Sequence, residues 1–211
     1  MKKDLTEIIC ILDESGSMDL TRKDVIGGFN NFIEEQKKIK GEALITLVFF
    51  DDRYRVIHSG KNIKDIEKLT TEIYKPTGST ALFDAIGKTI NDVGSRLSNT
   101  KESEKPEKVI VLIMTDGDEN SSKEFNIAKI KEMTEHQQQK YNWEFVYIGA
   151  NQDSFSTGAS LGIKTTANYM STSRGTADAY NMVSQSISLY RTSGKIDLNG
   201  SNNVQTESDE K

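Results

Sequence analysis

The 211 residues are enough for one domain with a sizeable core, and 27 basic against 32 acidic side chains leave a net charge of −5. That balance lacks the basic excess of a dedicated nucleic-acid binder. The single cysteine, Cys10, excludes an internal disulfide, and no stretch approaches the roughly 20 apolar residues of a membrane helix, so a soluble, cytoplasmic protein is expected.

The first element is the apolar run IICIL (8–12). Such a run reads as a strand buried on both faces, and it leads directly into DESGS (13–17). The two lysines before it resemble the start of a signal peptide, but Asp4 and Glu7 interrupt the pattern. Residues 19–40 predict a helix with Val25, Ile26, Phe29, Phe32 and Ile33 inward. Its Gly27-Gly28 pair suggests close approach to the sheet, or else a kink. ALITLVFF (43–50) is a second buried strand. Asp51-Asp52 then turns into RYRVIH (53–58), an alternating edge strand that so short a connection must run antiparallel.

Residues 61–75 read as short helical turns, and Leu82, Ile86, Ile90, Val93 and Leu97 mark an amphipathic helix. Beyond a solvated linker (98–108), KVIVLIMTDGDEN (108–120) repeats the opening pattern of apolar strand and carboxylate loop. A helix to about 139 follows, with Ile127, Ile130 and Met133 inward, then the strand 143–150 and a short helix near 153–161. A weaker strand spans 163–170. The last helix, 174–191, points Ala177, Tyr180, Val183, Ile187 and Tyr190 inward. These elements predict an α/β fold: a doubly wound, mostly parallel sheet with one antiparallel edge strand and helices on both faces, over residues 1–192. Residues 193–211, polar and charged, are expected to be a disordered tail.

Open α/β sheets place ligands beyond the carboxyl ends of their strands. Three loops there carry hard oxygen donors: DESGS (13–17), TGST (77–80) and TDGDEN (115–120). A carboxylate and hydroxyls suit Mg²⁺ better than softer metals. Each residue also has a purely structural reading. Asp13 suits a turn, Ser15 and Ser17 suit helix N-caps, and Thr80 suits a cap of the helix that follows it. Asp118 and Glu119 read as solvated acids, Asp51 and Asp52 as the hairpin turn. His58 and His136 have no catalytic partner in view.

The D-x-S-x-S pattern of residues 13–17, the GSTAL stretch at 78–82 and the TDG at 115–117 together resemble the von Willebrand factor A domain and its metal-ion-dependent adhesion site. That resemblance covers about residues 4–192. It implies Mg²⁺, with Mn²⁺ as the alternative, held by Asp13, Ser15, Ser17, Thr80 and Asp116, and a coordination position left open for an Asp or Glu of a partner protein. It implies a binding module and no enzyme, with neither nucleic acid nor membrane as partner. The stretches VIGGFNNFIEEQ and VYIGANQD resemble small stand-alone members from bacteria and phages, whose partners include ATPases, stress-response proteins and host-defence proteins. In larger members the last helix moves on ligand binding, which here corresponds to residues 174–191. The rival reading is a Mg²⁺-dependent phosphatase of haloacid-dehalogenase-like chemistry. That chemistry needs a second aspartate where Ser15 stands, and a serine cannot act as the acid at neutral pH.

Overall fold

The structure, a computed structural model, describes residues 1–150 and 153–198. Six strands form one sheet: β1 (Lys2–Asp13), β2 (Glu42–Phe50), β3 (Tyr54–Asn62), β4 (Pro106–Thr115), β5 (Glu144–Ala150) and β6 (Thr165–Tyr169). Their order is β3-β2-β1-β4-β5-β6, with only β2–β3 antiparallel. The helices are α1 (Arg22–Lys38), α2 (Leu82–Ser98), α3 (Ile127–Tyr141), α4 (Ser154–Ser160) and α5 (Ser173–Ser193). The doubly wound α/β architecture expected from the sequence is the one observed.

The apolar runs are continuous because the central strands are covered twice. Ile8, Cys10 and Leu12 of β1 join Ile110, Leu112 and Met114 of β4 in one core, under α1 and α5. Ile9 and Ile11 join Val109, Val111 and Ile113 in the other, under α2 and α3. Chain order reverses between β1 and β4, so the carboxyl ends of these two strands flank the crevice where such sheets bind ligands.

Several local expectations are corrected. Gly28 faces α5 rather than the sheet: a Cβ there would lie 2.2 Å from the Tyr180 ring, so only glycine permits this helix contact, while Gly27 is open. A 3₁₀ turn, Gly16–Thr21, precedes α1. Residues 61–75 begin with the end of β3 at Asn62 and then hold two short turns, the 3₁₀ turn Ile63–Asp65 and one in which the Ile73 and Tyr74 N–H groups donate to the Thr70 carbonyl. Ile127, in the first turn of α3, faces solvent, whereas Ile130 is fully buried. In α5 the inward position is Ala179 and not Ala177. Ser193 ends that helix, Gly194 caps it in the left-handed conformation, and the chain doubles back. The Ser186 hydroxyl donates to the Asp197 carbonyl, and Leu198 is buried in the α1/α5 core. The remainder of the expected tail, 199–211, lies outside the described residues.

Candidate metal centre

β1 and β4 run in register, Leu12 opposite Met114, so Asp13 and Thr115 leave the sheet side by side. The Thr115 hydroxyl donates to Asp13 Oδ2 at 2.5 Å, and the Ser15 N–H donates to Asp13 Oδ1 at 2.6 Å. Ser15 Oγ lies 3.1 Å from Ser17 Oγ, and Ser17 Oγ donates to Asp116 Oδ1 at 2.5 Å. Thr80 enters from the second loop: a Cβ on Gly117 would sit 2.9 Å from Thr80 Oγ1 and 3.8 Å from Ser17 Oγ. All five residues singled out in the sequence therefore gather at one place. Asp13, Ser15 and Thr80 form a buried floor, Asp116 is half-buried, and Ser17 is exposed.

The surrounding framework holds these loops to one another. Glu14, fully buried, accepts from the Arg55 guanidinium at 2.6 Å and from the Lys75 N–H at 2.5 Å. Its carbonyl takes the Thr77 N–H, and the Gly16 N–H bonds the Gly78 carbonyl, so the first loop carries the second. The Tyr74 hydroxyl donates to the Asp13 carbonyl at 2.6 Å. Asn120 clamps Thr80 from both sides: its side chain accepts the Thr80 N–H at 2.9 Å and its N–H donates to the Thr80 carbonyl at 3.0 Å. Asp51 holds Arg53, and its carbonyl takes the Ala81 N–H, so the hairpin turn also buttresses Thr80. Glu119 is no solvated acid, for it accepts from the N–H groups of Phe83, Ser121 and Ser122. Asp118 is exposed, as expected.

Sequence reasoning assigned no role to Thr115, Glu14 or Asn120. Thr115 carried a signal, since it opens the TDG triplet. Glu14 and Asn120 carried none, because their partners lie 40 or more residues away.

Electrostatics set Asp13 apart. Burial pushes its carboxyl up to about 6, opposed by the hydrogen bonds from Thr115 and Ser15 and reinforced by the Asp116 charge. Its donors are neutral, and among the described residues no lysine or arginine pairs with it. Among the same residues no cluster of three or more His, Cys, Asp or Glu side chains could hold a metal, so a cation here would need the hydroxyls as well. Two carboxylates and three hydroxyls fit a hard divalent cation, whose charge would remove the burial penalty on Asp13.

The model of the von Willebrand factor type A domain matches residues 7–184. The chain belongs to that family. No curated protein matches it in sequence. Among solved structures it is similar to a mutant of the PilB minor pilin from Streptococcus sanguinis (TM-score 0.63, 13% identity, covering 90% of this chain and 63% of that one). It is also similar to proximal thread matrix protein 1 from the mussel byssus, in a form with a zinc-occupied MIDAS motif (0.59, 15%, 87% and 46%). A third is the manganese-loaded TRAP protein of Plasmodium vivax (0.54, 16%, 81% and 70%). The chain thus spans less than two thirds of the pilin and under half of the byssus protein. At such identities the likeness is one of fold. Among the described residues no helix is long and apolar enough to cross a membrane.

Proposed function

We propose that this von Willebrand factor A domain is a metal-dependent protein-binding module without enzymatic activity. Asp13, Ser15, Ser17, Thr80 and Asp116 hold Mg²⁺, or Mn²⁺, and a partner's Asp or Glu completes the coordination. The observation that carries this reading is Asp13: a fully buried carboxylate, supplied with neutral donors only, facing a second carboxylate across three hydroxyls. The zinc-occupied MIDAS motif of the byssus protein supports a divalent ion at this place, and the manganese-loaded TRAP protein shows that the fold can carry another. Asp13 anchors the ion by charge, and Thr115 and the Ser15 N–H orient its carboxylate. The neutral hydroxyls leave the cation electron-poor, and an incoming carboxylate satisfies it. The single, buried Cys10 fits a cytoplasmic setting. An ATPase, a stress-response protein or a host-defence protein is the class of partner we propose.

The test is an affinity capture from the source cells with wild type and Asp13→Ala, each in Mg²⁺ and in EDTA. The expected outcome is a partner retained only by wild type in Mg²⁺. Undiminished capture in EDTA contradicts the reading, as does hydrolysis of a generic phosphate ester that Asp13→Asn abolishes.

A further inference from the structure

At the end of the sheet opposite the candidate metal centre, the amino ends of β4 and β5 meet the last turns of α2 and α3. Toward the carboxyl ends these two helices are tied together. Asp84, in the first turn of α2, accepts the N–H groups of Lys123, Glu124 and Phe125, each at 2.9 Å. A Cβ on Gly87 would lie 2.5 Å from the Phe125 ring. Beyond Ile90 a cleft of about 680 Å³ opens between the helices. Small-molecule sites occupy roughly 300–1,000 Å³.

The floor of the cleft is Val109 of β4 and Trp143, the residue before β5, both buried; Leu97 and Met133 form half-buried walls. Gly94 leaves a gap in the α2 wall, since a Cβ there would meet nothing within 4 Å. Trp143 is held in place: its ring stacks on Phe145 with centroids 6.3 Å apart, and its main-chain N–H donates to the Gln137 carbonyl at 3.2 Å. The residue is only 4% exposed, yet among the described residues its indole N–H finds no acceptor. Buried donors are as a rule paired, so this one is available to an acceptor on a ligand.

Charge on the walls is already engaged. Lys129 pairs with Glu132 at 3.0 Å, Lys105 with Glu102 at 3.1 Å, and Glu107 accepts the Asp4 N–H at 2.9 Å. The two lysines and two glutamates that line the cleft also balance one another. An ionised ligand would be desolvated here without a counter-charge, which is unfavourable. An uncharged ligand escapes that penalty and gains by covering apolar surface. Indole and thioether side chains suit an aromatic ring.

We propose that this cleft binds an uncharged aromatic small molecule bearing one hydrogen-bond acceptor, the ring against Val109, Leu97 and Met133 and the acceptor on the Trp143 indole N–H. The site is separate from the metal centre and does not rest on the reading given for it.

Trp143 is the single tryptophan of the chain, so its fluorescence reports on this place alone. The test titrates the full chain with prodan, a neutral naphthyl ketone, with dimethylaminonaphthalene, which lacks the ketone, and with anionic anilinonaphthalene sulfonate. Prodan is expected to quench Trp143 saturably at one site, equally in Mg²⁺ and in EDTA. Loss of the ketone should weaken binding about fivefold, the worth of one hydrogen bond. The sulfonate should bind more weakly than prodan. Gly94→Met should fill the gap and weaken prodan about tenfold or more. Its melting temperature should match or exceed that of wild type, because a helical glycine is replaced. Gly27→Met, at the other open helical glycine, on α1, should bind prodan as wild type does.

Absence of saturable quenching by prodan overturns the inference, as does binding that Gly94→Met leaves unchanged in a folded protein. Equal affinity with and without the ketone, or a preference for the sulfonate, overturns the ligand class. A dimer in sedimentation that Gly94→Met dissolves assigns the cleft to a second copy and overturns the inference as well.

Discussion

Two carboxylates on β1, Glu7 and Asp13, are both fully buried, yet the chain treats them differently. Glu7, toward the amino end, accepts from the Arg96 guanidinium and from the Thr46 hydroxyl at 2.7 Å. Arg96 is supplied by the last turns of α2, so the charge is compensated from within the fold. Glu14, beside Asp13, is likewise matched by Arg55. Asp13 has hydroxyl and amide donors only. Burying a charge is unfavourable by several kcal/mol unless it is paired. The same strand therefore carries one acid neutralised from within the fold and one left with neutral donors, the acid we propose for a cation from outside. Position on the sheet explains the difference: Glu7 lies within reach of a helix end, and Asp13 opens onto the crevice between β1 and β4.

The largest effect expected from this contrast is on stability. Arg96→Ala leaves Glu7 buried and unpaired, and urea denaturation should show a loss of about 3 kcal/mol, with divalent-cation affinity unchanged. A comparable loss of cation affinity would mean that the two carboxylates are not independent.

Asp13 predicts a pH dependence of similar size and definite sign. Its carboxyl stands near 6 in the folded cation-free protein against an ordinary 3.8, so the folded state holds the proton more tightly. The stabilisation is present below the ordinary value and is lost as pH rises through about 6, amounting to about 3 kcal/mol. Saturating Mg²⁺ should abolish or reverse that slope, which thermal melts across this range would reveal. A slope that Mg²⁺ leaves unaltered would contradict the account.

Thr115→Val removes the hydroxyl that orients Asp13 while keeping its shape. A drop of about tenfold or more in cation affinity by calorimetry is expected. The smallest expected signal is no signal: Cys10 is fully buried and its thiol is pushed up to about 12 by desolvation, so it should resist alkylation until the protein unfolds.

The gathering of Asp13, Ser15, Ser17 and Asp116 was legible in the sequence because they follow β1 and β4, whose apolar runs are unmistakable; Thr80 enters from the loop before α2 and no strand announces it. What holds the centre was not. Arg55 reaches Glu14 across 41 residues and Asn120 reaches Thr80 across 40, distances over which local pattern is silent. In α5 the expected inward residues Tyr180, Val183, Ile187 and Tyr190 are all buried, and Ala177 alone is not: Gly175, Thr176, Ser184 and Ser186 share the buried face, so apolar periodicity is faint at the start of the helix. Gly28 was read as meeting the sheet because nothing near it announces Tyr180, 152 residues on, whose ring occupies the space a side chain would need.

The most direct measurement is a magnesium titration by calorimetry on wild type, Asp13→Asn and Arg96→Ala. The account predicts one binding event in wild type, none in Asp13→Asn, and wild-type affinity in Arg96→Ala. Binding that persists in Asp13→Asn, or none in wild type, would contradict it.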